Sequence, residues 1–244
     1  MSGHNKWSTI KHTKGKNDAA MSKIFSKIGK EIAVAVKLGG PDPNSNPKLR
    51  SIIAKAKQNN MPGDNITRSI KKASGELGSI NYESITYEGY GPAGSAVIVN
   101  TLTDNKNRTA SDVRHLFDKF GGSLGSTNSV SYMFKRKGLI IVEKGVGISE
   151  DDLMMHALES GAEDVGNYDL YYEVYTAPET FDQVKDYFDN NSIAYVSAEV
   201  TLLADNYITL PQDKLTSFNK LIDALEDNDD VQEVFHNVDL PDEE

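Results

Sequence analysis

Cysteine is absent from this 244-residue chain, which excludes disulfides, zinc–thiolate sites and cysteine nucleophiles and is compatible with a reducing compartment. No stretch approaches the roughly 18 apolar residues of a membrane-spanning helix, and there is no N-terminal apolar run of signal-peptide length. A soluble cytoplasmic protein without a membrane partner is therefore expected. The five histidines, His4, His12, His115, His156 and His236, are scattered without a recognisable metal or triad spacing. Glycines cluster at 121–125, but no G-K-[ST] ending follows them, so they read as a tight return and not as a phosphate loop. No enzymatic activity, metal or cofactor is expected.

Positive charge is also missing, but only locally. Residues 138–205 contain Lys144 and Lys185 against 15 acidic groups, whereas residues 1–78 contain 15 Lys and Arg against 5 acidic groups. The net charge of −10 thus conceals a basic module joined to an acidic body. Such a dipole suits oriented approach to a polyanion, with the acidic part facing away or meeting a basic protein partner.

The basic end starts with an arm that lacks apolar periodicity, in which Lys6, Lys11, Lys14 and Lys16 alternate with His4, Trp7 and His12. Lysines attract phosphate and a ring offers a stacking surface, the combination used on single-stranded nucleic acid. A helix over 17–38 follows, capped by Asn17 or Asp18 and ended by Gly39-Gly40-Pro41. Met21, Ile24, Phe25, Ile28 and Ile32 form its buried stripe, and Lys23, Lys27 and Lys30 a cationic stripe on another face. A second helix begins after Asn46 with Pro47 in its first position, and turns Lys48, Lys55 and Lys57 outward. A third runs from about Asp64 to Ala73 and exposes Arg68, Lys71 and Lys72. Three short amphipathic helices share a core as a small bundle.

Beyond Gly75, Gly78 and Ser79 the periodicity alternates, giving strands over 82–90 and 95–103. Gly89, Gly91 and Gly94 satisfy G-x-G-x-x-G, but Pro92 interrupts them and a second strand follows instead of a helix, so they read as a hairpin turn. A helix with Val113, Leu116, Phe117 and Phe120 inward comes next. Lys106 and Arg108 at its start are placed to hold a phosphate against free backbone N–H groups, or to form an ordinary solvated cap. A strand is expected over 129–134, ending in Lys135-Arg136-Lys137. Residues 138–205 read as strand 139–142, helix 149–159, strand 170–176, helix 179–190 and strand 193–203, the last bent into two, a ferredoxin-like α+β unit. The remainder, strand 207–210, helix 213–227 and strand 231–238, folds back onto 82–137.

The resulting expectation is an α+β protein of three domains: a basic arm and helical bundle over 1–78, then two interleaved ferredoxin-like domains, one of 79–137 plus 206–244 and one, inserted and acidic, of 138–205. Taken together, MSGHNKWSTIKHTKGKNDA, SKIFSKIGKEIAVAVKLGGPDPNSNPKLR, NNMP, YEGYGPAG, TDNKNRTASDVR and GGSLGSTNSVSYMFKRKG resemble the YebC family across essentially the whole chain. The resemblance implies the same three-domain layout and a non-enzymatic DNA-binding regulator of transcription. Other members act on the ribosome, which implies as the alternative a translation factor that binds ribosomal RNA and supports elongation through stalling sequences such as proline runs. Asn128 and Pro92-Ala93-Gly94 depart from the glycines common at these places in relatives. No helix-turn-helix signature is present, so contact with DNA or RNA is expected to be phosphate-dominated and carried by Lys6, Trp7, Lys11, His12, Lys14, Lys16, Lys23, Lys27, Lys30, Lys106 and Arg108. Changing Lys11, Lys14 and Lys16 to Glu should weaken RNA and DNA binding broadly and flatten its salt dependence, as each lysine no longer releases condensed counterions. A titration of binding against salt concentration checks this.

Overall fold

The computed structural model describes residues 18–75, 81–145 and 147–240. They form two compact units, one of residues 18–130 and 211–236 and the other of residues 131–210 and 237–240. The expected arm residues, the Asn17 cap and the linker residues Gly78 and Ser79 lie outside the described residues.

The first unit opens with helices α1 (Asp18–Gly39), α2 (Pro47–Gln58) and α3 (Gly63–Ser74). Ile28, Ile32, Ala35 and Val36 of α1 share one core with Leu49, Ile52, Ala56, Met61 and Ile66. Each fully buried Ile or Leu contributes about 2 kcal/mol. The buried stripe therefore continues further along α1 than expected, while Ile24 and Phe25 are only half-buried against its edge. Asn46 ties the α1–α2 turn together. Its Oδ1 accepts the Leu49 N–H at 3.0 Å, capping α2, and its Nδ2 donates to the carbonyls of Ala35 at 2.8 Å and Gly40 at 2.9 Å. A Cβ on Gly39 would lie 2.7 Å from this amide, so only glycine lets the end of α1 pass so close. The α2–α3 turn uses Asn60 in left-handed geometry, φ 57°, which asparagine tolerates better than most residues.

Strands β1 (Glu83–Tyr90) and β2 (Ala96–Thr103) then form an antiparallel hairpin closed by a 3₁₀ turn, Pro92–Gly94. The G-x-G-x-x-G spacing is thus a turn in three dimensions too. Ala93 and Asn128 sit at left-handed positions, with φ 56° and 65°. Helix α4 (Lys106–Lys119) buries Val113 and Phe117, and a two-residue strand β3 (Ser123–Leu124) returns to pair with β1.

In the second unit a 3₁₀ turn, Ser131–Met133, leads into β4 (Phe134–Glu143). This corrects the expectation of one strand over 129–134 and another over 139–142. Gly138, between the two expected strands, stays in register with Thr176 and Val200, and glycine is needed there because a Cβ would collide with Thr176 and Phe181. Then come α5 (Glu150–Ser160), β5 (Asp164–Asn167), β6 (Tyr171–Thr176), α6 (Phe181–Asn190) and β7 (Ser197–Ala204). The sheet order β5-β6-β4-β7, antiparallel throughout, is the ferredoxin-like βαββαβ arrangement. The fourth strand arises from β5 and not from a bent last segment. At four residues, including Gly166 and Asn167, β5 is too short and too poor in β-branched residues to announce itself. Ile140, Val142, Leu153, Ala157, Val174, Phe181, Val184 and Phe188 fill the space between this sheet and its helices. The expected strand over 207–210 is reduced to a single bridge, Ile208 with Val238.

The chain finally returns to the first unit as α7 (Gln212–Asp227) and β8 (Val231–His236). β8 pairs antiparallel with β2, giving the order β3-β1-β2-β8. Phe218, Leu221 and Leu225 of α7 are fully buried, with the Phe218 ring edge-on to His236 at 4.9 Å. This sheet also carries two helices and four antiparallel strands, but it is entered through a hairpin. Replacing Asn46 by Ala should lower the stability of the helical bundle by about 2 kcal/mol, more than an ordinary cap, because two further carbonyls lose a buried donor. Urea unfolding followed by circular dichroism checks it.

Candidate nucleic-acid interface

Lysines 23, 27 and 30 do lie at helical spacing along one side of α1, but the fold has already supplied their anions. Lys23 Nζ is 2.9 Å from Asp227 Oδ1, Lys27 Nζ donates to the Glu226 carbonyl at 2.6 Å, and Lys30 Nζ donates to the Asp229 carbonyl at 2.9 Å and to Asp230 Oδ1 at 2.7 Å. The carbonyl end of α7 carries partial negative charge from its unsatisfied C=O groups, which the lysines complement. The stripe expected to meet nucleic acid is therefore engaged with the α7–β8 turn, where it docks the helical bundle on the first sheet's helices.

Arg108 takes part in the same arrangement. Asn105 caps α4 by accepting the Arg108 N–H at 3.1 Å, and the Arg108 guanidinium reaches Asp104 Oδ1 at 2.9 Å and Asp230 Oδ2 at 2.7 Å. Thr109 Oγ1 donates to the same Asp230 oxygen at 2.8 Å, with Thr103 Oγ1 at 3.2 Å. Asp230 is 5 % exposed. Burial alone would raise its carboxyl, but hydrogen bonds from Arg108, Lys30 and Thr109 outweigh that and hold it down at about 2. Hydrogen bonding to Asp230, and next to Asp104, raises Arg108 above its ordinary value. Of the two residues proposed to hold a phosphate at this helix start, Arg108 is thus committed to carboxylates, and Lys106 is exposed on its own. A polar cleft lined by Ser26, Lys30, Tyr82, Asp112 and Asn228 opens onto this cluster.

The available cations are elsewhere. Lys48, Arg50 and Lys57 on α2 and Arg68, Lys71 and Lys72 on α3 are exposed, and their side chains make no hydrogen bond or ion pair to any described residue. Lys55, by contrast, pairs with Glu31 at 2.8 Å. Arg68, Lys71 and Lys72 recur at three and four residues and so adjoin one another on the outer face of α3. Arg50 and Lys57, seven apart, share one side of α2. The exposure of Lys48, Lys57, Arg68, Lys71 and Lys72 was readable from amphipathic spacing; their role was not, because nothing in the sequence distinguishes a lysine that finds a carboxylate from one that does not.

Lys6, Trp7, Lys11, His12, Lys14 and Lys16 lie outside the described residues, as does His4. The other histidines are apart: His115 is exposed on α4, His156 Nδ1 lies 3.1 Å from the Tyr187 hydroxyl, and His236 packs on Phe218. Among the described residues no three His, Asp or Glu side chains are grouped to hold a metal, and no helix is long and apolar enough to cross a membrane.

The family model for the N-terminal domain of TACO1/YebC proteins matches residues 5–76, and the model for the second and third domains of TACO1/YebC proteins matches residues 82–238. The chain belongs to the TACO1/YebC family. A Clostridium botulinum relative described as a probable transcriptional regulatory protein is 56% identical over 241 residues, covering 99% of this chain and 98% of its own. One of the same description from Acetivibrio thermocellus is 57% identical over 238 residues, 97% and 98% of the two chains. The crystal structure of a conserved hypothetical protein from Aquifex aeolicus is 44% identical with a TM-score of 0.81, covering 93% of this chain and 94% of that one.

Because Asp230 is ionised in the fold well below the ordinary carboxylate range, its contribution is complete above pH about 4 and is lost as the pH falls towards about 2. Asp230→Ala should cost on the order of 2 kcal/mol at neutral pH, less than for a fully buried pair because Arg108 keeps access to water. Chemical denaturation from pH 7 to pH 2 should show the wild-type advantage vanishing across that acid window.

Proposed function

We propose that this chain is a non-enzymatic, cytoplasmic, nucleic-acid-binding regulator of gene expression that grips the phosphate backbone through the exposed cations of α2 and α3 together with the lysines of the N-terminal arm. The observation that carries the reading is the set Lys48, Arg50, Lys57, Arg68, Lys71 and Lys72, exposed and without an intramolecular anion among the described residues. In a chain of net charge −10 such a concentration of unneutralised cations has an electrostatic use, and phosphate is the anion that rewards it. The relatives' description as probable transcriptional regulatory proteins favours duplex DNA as the target.

A second reading, structured RNA on the ribosome, is supported by what the outer face of α3 lacks. Asp64, Thr67, Arg68, Lys71, Lys72 and Ser74 are its exposed side chains, with no Asn or Gln to read an adenine edge, so the face suits shape and phosphate recognition better than base readout. The two readings share contact residues and differ in ligand.

Arg68→Glu, Lys71→Glu and Lys72→Glu combined should weaken binding and lower the slope of log affinity against log salt by up to about 3, one contact each. Mobility shifts with a promoter duplex and with a ribosomal RNA fragment, over a salt series, read this out. Tighter binding to the RNA, with the protein co-sedimenting with ribosomes at moderate salt, would establish the translation reading; preference for duplex, with the protein at the top of the gradient, would establish the transcriptional one. An unchanged slope on both ligands would overturn the interface.

A further inference from the structure

Large apolar side chains are well exposed at few of the described positions, and three of them share α5: Met154 at 51 %, Met155 at 51 % and Leu158 at 80 %. Leu153, Ala157 and Ser160 are the residues by which α5 enters its own core. At 100° per residue, the three exposed side chains fall on the opposite side, with Met154 and Leu158 one turn apart and Met155 beside them. Single exposed leucines are normal on soluble proteins; an adjoining strip of three on an 11-residue helix is a patch of the kind that marks contact with another molecule.

The strip has an acidic rim. Glu150, Asp151 and Asp152 occupy the first turn and Glu159 the last, and α5 has no Lys or Arg. Asp152 accepts from Ser149 and Glu159 from Tyr187, while Glu150 and Asp151 have no partner among the described residues. The two lysines of residues 138–205 are engaged elsewhere, Lys185 with Asp189, and Lys144 with Asn167 and the Tyr172 ring. Nothing described within this unit neutralises the rim.

The geometry points to α5 as a docking ridge for a basic protein, one that offers an apolar patch or groove edged by Lys and Arg to Met154, Met155 and Leu158. Apolar contact would supply the affinity, and the acidic rim would select the partner and speed encounter. Nucleic acid and anionic lipid are disfavoured at this face by like charge. A second copy meeting it through α5 would set Glu150 and Asp151 against their own equivalents, as a two-fold contact requires. The inference is independent of the nucleic-acid reading, since it uses the other unit and the opposite charge.

The full chain is titrated with a fluorescein-labelled amphipathic Leu/Lys helical peptide, and with a scrambled peptide of the same composition that has no apolar face. Binding of the helical peptide should weaken at least about tenfold in Met155→Ser/Leu158→Ser and in Glu150→Lys/Asp151→Lys, and the scrambled peptide should bind wild type comparably weakly. All four side chains are exposed, so both variants should keep the wild-type urea transition. Equal binding by wild type and either variant, or by both peptides, would overturn the proposal. Sedimentation velocity of the chain alone should show no association that Leu158→Ser abolishes; a dimer lost in that variant would assign the strip to a second copy and overturn it too.

Discussion

Asp230 accepts hydrogen bonds from Lys30, Arg108 and Thr109, so a single carboxylate joins the first helix of the bundle, the start of α4 and the turn between α7 and β8. These segments are far apart in the chain, and the order of the elements depends on their meeting. The turn brings α7 back beside α4 and delivers β8 to the edge of β2. Lys27 and Lys30 then satisfy carbonyls at the end of α7 that would otherwise need water. A charge held this way stabilises through its donors and not through burial, which by itself opposes ionisation.

The same cluster divides the basic residues into two populations. Lys23, Lys27, Lys30 and Arg108 hold the protein together, and Lys48, Arg50, Lys57, Arg68, Lys71 and Lys72 face solvent. Part of the positive charge of the N-terminal segment, that of Lys23, Lys27, Lys30 and Lys55, is thus structural. Among the described residues of that segment, the cationic side chains left without an intramolecular partner lie on the two short helices. The acidic unit has the inverse character: its lysines are internally occupied and its exposed helix combines carboxylates with methionine and leucine.

Amphipathic spacing was sufficient for α1 to α4, for α7 and for the β1–β2 hairpin, because a period of 3.6 or 2 in apolar residues is a direct consequence of burying one face. Elements without that period were not legible. β5 is edge-like and short, and β3 has two residues; their existence follows from the strand they pair with. Gly138 lies inside β4 although glycine weakens strands in general, because here it admits Thr176 and Phe181. The turn residues went the other way. Asn128 was legible as left-handed-tolerant and adopts φ 65°, while Ala93 shows the same geometry without a side chain that favours it.

By itself, the sequence determined the α+β class, the helical bundle, the hairpin in place of a dinucleotide loop, the segregation of charge and the family, all of them properties of local period, composition or residue identity. Which lysines are free and which are bound was decided only by the tertiary structure. A lysine's exposure follows from its place on a helix, but its partner is set by which distant backbone carbonyl or carboxylate the fold carries to within about 3 Å. For Lys27 and Lys30 those groups lie 199 and 200 residues away, beyond anything that a period along the chain can encode.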